Sequence, residues 1–224
     1  MTLEVRLRVG LKGTDPVVST AYLTLVDKMG YRGRLLAINR LDSHAFSVKC
    51  GDAATALQRL RRFLATQSTF YNRNKHNYFL ECVWGNDRHV EGVPLEQLES
   101  MSAQAARWAA LEVGQDLDGK RGSDRVILQS APVFRPEILV EDTDPAGKLS
   151  LANKLETELA DGPVTVSESG IRWYLALKVP SDTEASELAE EIAVTRRKDL
   201  GLLLNPNYQR YKLLSLKEIE LNKS

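Results

Sequence analysis

The chain opens Leu3-Glu4-Val5-Arg6-Leu7-Arg8-Val9-Gly10-Leu11, with every odd position apolar and every even one charged or glycine. A period of two places one face in a core and the other in water, so this segment predicts a strand. Next comes Gly13-Thr14-Asp15-Pro16, where Thr14 or Asp15 can cap a helix and Pro16 fits its first turn. Val18, Ala21, Tyr22, Leu25, Val26 and Met29 then recur at steps of three and four, one apolar stripe on a helix that Gly30 ends. Leu35 to Ile38 is a short apolar run, Asn39-Arg40-Leu41-Asp42 is turn-like, and Phe46, Val48 and Cys50 alternate with polar neighbours. This predicts two strands joined by a hairpin. Gly51-Asp52 opens a second helix with Ala53, Ala56, Leu57, Leu60 and Leu64 on one face, and Tyr78 to Trp84 closes the unit as a strand.

The same order returns after residue 135. Ile138-Leu139-Val140 is a strand, and Thr143-Asp144-Pro145 repeats Thr14-Asp15-Pro16 at an offset of 129. A helix with Ala152, Leu155 and Leu159 runs to Asp161-Gly162-Pro163. Val164 to Val166 and Ile171 to Val179 form a hairpin around Ser169-Gly170. Ser181-Asp182 caps a helix with Ala185, Leu188, Ala189 and Ile192 on one face, and Tyr208 to Leu216 is the last strand. Recurrence of six elements and a tripeptide in fixed order reads as an internal duplication. The expected organisation is a first unit at 1–84, a connector at 85–134 and a second unit at 135–224. In the connector, Pro94 to Val113 carries a helical stripe and Val126-Ile127-Leu128 an extra strand. The predicted fold class is α+β, two tandem ferredoxin-like β-α-β-β-α-β units. The second hairpin sets Trp173, Leu175, Leu177 and Val179 on one face and Tyr174 and Ala176 on the other. With both faces apolar, the two antiparallel sheets are expected to pack or join as a pseudo-dimer.

Charge changes this picture little. Lys and Arg number 30, as do Asp and Glu, which removes the global basic footprint of a nucleic-acid binder. Residues 1–85 hold 13 basic and 6 acidic side chains, a net of +7, and the remainder 17 and 24, a net of −7. No apolar run approaches the roughly 20 residues of a membrane helix. The alternating N-terminus is no secretory leader, and the two cysteines, Cys50 and Cys82, make no disulfide framework, so a cytoplasmic protein is expected.

Candidate chemistry is sparse. His44, His76 and His89 stand in no metal-ligand spacing, and Cys82 lies in an apolar strand as a buried thiol. Gly114-Gln115-Asp116-Leu117-Asp118-Gly119-Lys120 matches the skeleton of a phosphate loop. Arg121, however, stands where Ser or Thr should hold magnesium, and the two aspartates would repel phosphate. Arg59, Arg61 and Arg62 on the second helix come near Arg73, Lys75 and His76, with Phe70, Tyr71 and Tyr78 interleaved. That cluster reads either as a solvated helix face and loop or as a surface for a phosphate or a partner. No catalytic residue, cofactor site or metal site is predicted. A binding, assembly or regulatory role follows.

Each copy resembles PurS, the small subunit of phosphoribosylformylglycinamidine synthase. The first copy carries the resemblance in Leu3 to Leu11, Asp15-Pro16 and Gly30-Tyr31, and the second in Asp144-Pro145, Leu203-Leu204-Asn205-Pro206 and Tyr211. The resemblance implies a non-catalytic subunit that bridges an ATP-dependent synthetase and a glutaminase in purine biosynthesis. It also implies homo-oligomeric association and contacts through Asn205, Pro206 and the charged loops, with Arg59, Arg62, Arg73, Lys75 and Tyr211 as the further candidates. Two other readings are a ferredoxin-like regulatory module holding a small metabolite between the copies and a nucleic-acid binder using the basic first half.

Overall fold

The computed structural model describes residues 1–66, 70–99, 131–159, 162–196 and 201–219. Its elements are β1 (Thr2–Leu11), α1 (Pro16–Leu23), β2 (Leu35–Lys49), α2 (Ala53–Thr66), β3 (His76–Trp84), β4 (Asp87–Gly92), α3 (Leu95–Glu99), β5 (Val133–Asp142), α4 (Ala146–Leu159), β6 (Val164–Lys178), α5 (Asp182–Ala193) and β7 (Gln209–Ile219). The fold is α+β. The strands form one seven-stranded antiparallel sheet in the order β4-β3-β1-β2-β6-β5-β7. The predicted connector helix is described only over α3, and the phosphate-loop skeleton and the extra strand at 126–128 lie outside the described residues.

The described chain divides into two compact units. One holds residues 1–14, 41–99 and 141–171, and the other the described parts of 15–40, 131–140 and 172–219. The boundary falls within β2, within β5 and within β6.

In the first unit β1 keeps its alternation from Thr2 to Leu7, after which Arg8 and Gly10 are buried as well and Leu11 is exposed. Leu3, Val5, Leu7 and Val9 pack with Phe46, Val48, Leu80 and Cys82 of the flanking strands and under Leu57, Leu60 and Phe63 of α2 and Leu155 of α4. Full burial of each such side chain contributes about 1.5–3 kcal/mol. Asp52 opens α2, its Oδ2 accepting from the Thr55 backbone N–H at 2.8 Å.

In the second unit Asp15 caps α1, its Oδ1 accepting from the N–H of Val17 at 2.8 Å. The helix continues as a π-turn over Thr24–Lys28, closed by the Met29 N–H on the Thr24 carbonyl at 3.1 Å. Gly30 follows at φ +79°, which suits its place as the helix stop. Ser181 caps α5, its Oγ accepting from Glu184 N–H at 3.3 Å. Leu35 to Ile38 and Trp173 to Leu177 are buried without a break, so these strand segments are covered on both faces.

Two expectations are corrected, and one strand was not foreseen. Asn39-Arg40-Leu41-Asp42 is not a turn: β2 is one 15-residue strand, and its residues 42–49 pair with β1. Ser169-Gly170 is likewise inside the continuous strand β6. Each half therefore runs strand, helix, strand, helix, strand, not β-α-β-β-α-β. The polar letters that imitate turn chemistry are held in extended backbone by partners. Arg40 Nε meets Asp15 Oδ2 at 2.6 Å, and Ser169 N–H donates to Glu141 Oε1 at 3.2 Å. Finally, β4 follows β3 through the two-residue turn Gly85-Asn86, with Gly85 at φ +55°. Its sequence has one large apolar residue, Val90, so it gives no alternation signal.

Candidate functional site

The predicted basic cluster is only partly assembled. Arg59 and Arg62 are exposed on the outer side of α2. Arg61 beside them is ion-paired, its Nε 2.7 Å from Glu91 Oε2, with His89 Nε2 2.7 Å from its Nη2. Tyr78 Oη donates to Glu91 Oε1 at 3.2 Å. Burial pushes the Glu91 carboxyl up, but bonds from His89, Arg61 and Tyr78 outweigh it and hold the group below its usual range. Arg73 and Lys75 lie exposed in the turn before β3, and their carbonyls accept from Lys12, Nζ at 2.7 Å and N–H at 2.8 Å. Phe70, Tyr71 and Tyr78 are packed against the core and not spread as a platform. Tyr71 meets Tyr78 edge-on at 4.7 Å, and Phe70 tilts against Phe63 at 5.6 Å. The cluster thus keeps exposed cations but loses the flat aromatic surface that base stacking needs.

Asn205, Pro206 and Tyr211 fall at the entry to β7. Leu203 and Leu204 are buried, and both donate to the Ala193 carbonyl at the end of α5 at 3.0 Å. This anchor presents Asn205 and Pro206 to solvent in a tight turn. Asn205 Oδ1 accepts from Asn207 N–H at 3.0 Å, and its carbonyl accepts from Gln209 N–H at 2.9 Å. Tyr211 faces α5. Burial and a hydrogen bond to Glu190 raise its hydroxyl above the usual tyrosine range. Asparagine and proline here form a rigid, exposed corner beside a partly covered tyrosine, an arrangement suited to contact and lacking a nucleophile or base.

Sequence reasoning missed a polar network in the first unit. Arg8 and Ser43 are 5% and 0% exposed, and both meet Glu168, the guanidinium at 3.5 Å and the hydroxyl in a short hydrogen bond. His44, opposite Leu7 on β2, has Nδ1 3.3 Å from Ser169 Oγ and the Phe70 ring edge-on at 5.0 Å. Glu141, 2% exposed, accepts from Lys148 Nζ at 2.6 Å. The only signal was polar residues midway along two apolar strands, and those read as turns.

Burial and the nearby Arg8 charge lower His44 from 6.5 to about 4, against a smaller opposing effect of Glu168. An imidazole this hard to protonate is a poor general base, so the His44–Ser169 pair serves to tie strands together. The second unit has its own ties, Glu137 to Arg172 and to Ser215, and Tyr31 Oη to Glu191 Oε1 at 2.9 Å. Cys50 and Cys82 are buried and free. Burial, then Glu91, pushes the Cys82 thiol up to about 12. Among the described residues no group of three or more His, Cys, Asp or Glu could hold a metal ion, and no helix is long and apolar enough to cross a membrane. No family model, curated protein or solved structure matches this chain.

Proposed function

We propose that this chain is a PurS-like assembly subunit whose two halves are copies of one ancestral unit joined as a pseudo-dimer. The observation that carries the reading is a shared spacing. Strands β2 and β6 are both 15 residues long, and β6 begins and ends 129 residues after β2, the same offset that separates Asp15-Pro16 from Asp144-Pro145. Further support comes from the strand order. β1 stands between β3 and β2, and β5 between β7 and β6, so the first strand of each half is its centre. On this reading the chain works in the cytoplasm without a cofactor. It bridges an ATP-dependent synthetase and a glutaminase that together convert formylglycinamide ribonucleotide to its amidine. Exposed Asn205 and Pro206 and the cations Arg59, Arg62, Arg73 and Lys75 supply contacts. Affinity purification of the tagged chain from its native host tests this. Recovery of both enzymes in fixed proportion is expected, and an intact chain recovered with neither refutes the reading.

A further inference from the structure

Strands β3 and β7 are entered through the same five-residue turn. In Asn72-Arg73-Asn74-Lys75-His76, Asn72 Oδ1 accepts from Asn74 N–H at 3.0 Å, and the Asn72 carbonyl accepts from Lys75 and His76 N–H at 2.9 and 2.8 Å. The Asn72 N–H donates to His76 Nδ1 at 3.1 Å. In Asn205-Pro206-Asn207-Tyr208-Gln209, 133 residues later, the same four bonds measure 3.0, 3.1, 2.9 and 3.1 Å, with Gln209 Oε1 in the place of the imidazole. The residues whose side chains build the turn are thus the same in both, or supply an equivalent acceptor. The second and fourth side chains, which build nothing, differ in kind. They are Arg73 and Lys75 in the first turn and Pro206 and Tyr208 in the second, all four exposed. Lys12 brings a third cation to the first turn, its Nζ 2.7 Å from the Arg73 carbonyl. Among the described residues no carboxylate pairs with Lys12, Arg73 or Lys75. In the second turn Tyr208 is 69% exposed.

We propose that these turns are one docking device that has diverged into two sites with different protein partners, 72–76 for an acidic surface and 205–209 for an apolar cleft. A connection into a strand needs only the asparagines and the acceptor at the fifth position. It does not need three like charges, which repel, or a tyrosine held in water. Such side chains gain from a partner. Both turns are preorganised by their own hydrogen bonds, so the ordering cost of docking falls mainly on the partner. Arginine and lysine opposite carboxylates steer the encounter and fix orientation. A tyrosine on a rigid corner buries a large ring at low entropic cost, and interfaces concentrate their energy on such side chains. Nucleic acid fits the first turn less well, because Tyr71 and Tyr78 behind it are packed on each other and leave no stacking surface. The two sites rest on the duplication in the scaffold reading but not on which proteins are bridged.

Affinity purification of the full-length tagged chain and its variants from the native host, quantified by mass spectrometry, tests this, with circular dichroism to verify folding. The wild type should hold two partners. Arg73→Glu with Lys75→Glu should lower recovery of one by about tenfold or more and leave the other unchanged, and Tyr208→Ala should do the reverse. High salt should strip the first partner from the wild type and spare the second. Support lies in these selective losses, not in capture alone. The proposal is overturned if nothing binds, if both variants lose the same partner or neither loses any, or if nuclease releases what the first turn holds. Selective loss of partners other than a synthetase and a glutaminase would uphold the two sites and refute the scaffold reading. Recovery of both enzymes, unchanged in either variant, would do the opposite.

Discussion

His44 offers the most direct reading of the buried network in solution. In the folded chain burial and Arg8 lower its pKa from 6.5 to about 4, whereas in the unfolded chain it titrates at the ordinary value. Between these values the unfolded state holds a proton that the native state refuses. The stability that the neutral imidazole confers is therefore complete above pH 6.5, is lost as pH falls toward 4, and changes no further below that. At about 1.4 kcal/mol per pH unit, the loss is about 3 kcal/mol. Urea unfolding of the wild type and His44→Gln between pH 7.5 and 4 isolates it, because the carboxylates titrate in both proteins and cancel in the difference. The wild type's stability relative to the variant should fall by about 3 kcal/mol across that range. A difference that stays flat with pH would show that His44 is solvated or charged in the native chain, and the packing of Phe70 and Ser169 around it would be wrong.

Glu168→Ala removes the carboxylate that lies 3.5 Å from the buried guanidinium of Arg8. A loss of about 3 kcal/mol in chemical denaturation is expected, while Arg8→Met with Glu168→Leu should lie much closer to the wild type. Gly201 holds φ +76°, and an added Cβ would stand 1.7 Å from the Val194 carbonyl oxygen. Gly201→Ala should cost well over about 1 kcal/mol and disturb the Asn205–Pro206 corner, read by unfolding midpoint and by protease sensitivity of the turn. With its thiol raised to about 12, Cys82 in a Cys50→Ser chain should react with a disulfide reagent only as fast as the protein unfolds. Prompt labelling at neutral pH would contradict its burial.

Much of the fold was legible because hydrophobic period and caps agree locally. The alternation of β1, the stripe of α2 and the Asp15 and Ser181 caps all mark elements that form where they predict them. What failed was polarity inside long strands. Asn39, Arg40 and Ser169 look like turn residues because turns and buried ion pairs draw on the same letters, and only tertiary partners distinguish them. Strand β4 was illegible for the opposite reason. Its backbone pairs with β3, and its side chains are held by Glu81 and Arg61, interactions that leave no period in the sequence. Of the candidate contact residues, Arg59, Arg62, Arg73, Lys75, Asn205 and Pro206 are exposed, whereas Tyr211 is partly covered. The Arg8–Glu168 network was invisible, since Arg8 has the same parity as exposed Arg6 and nothing local marks it as buried.

Reconstitution tests the scaffold role most directly. The synthetase and glutaminase of the native host are purified separately, and glutamine- and ATP-dependent amidine formation is measured with and without this chain. The account predicts activity only when the chain is added, saturating at a fixed ratio to the enzymes. Equal activity in its absence would contradict the account.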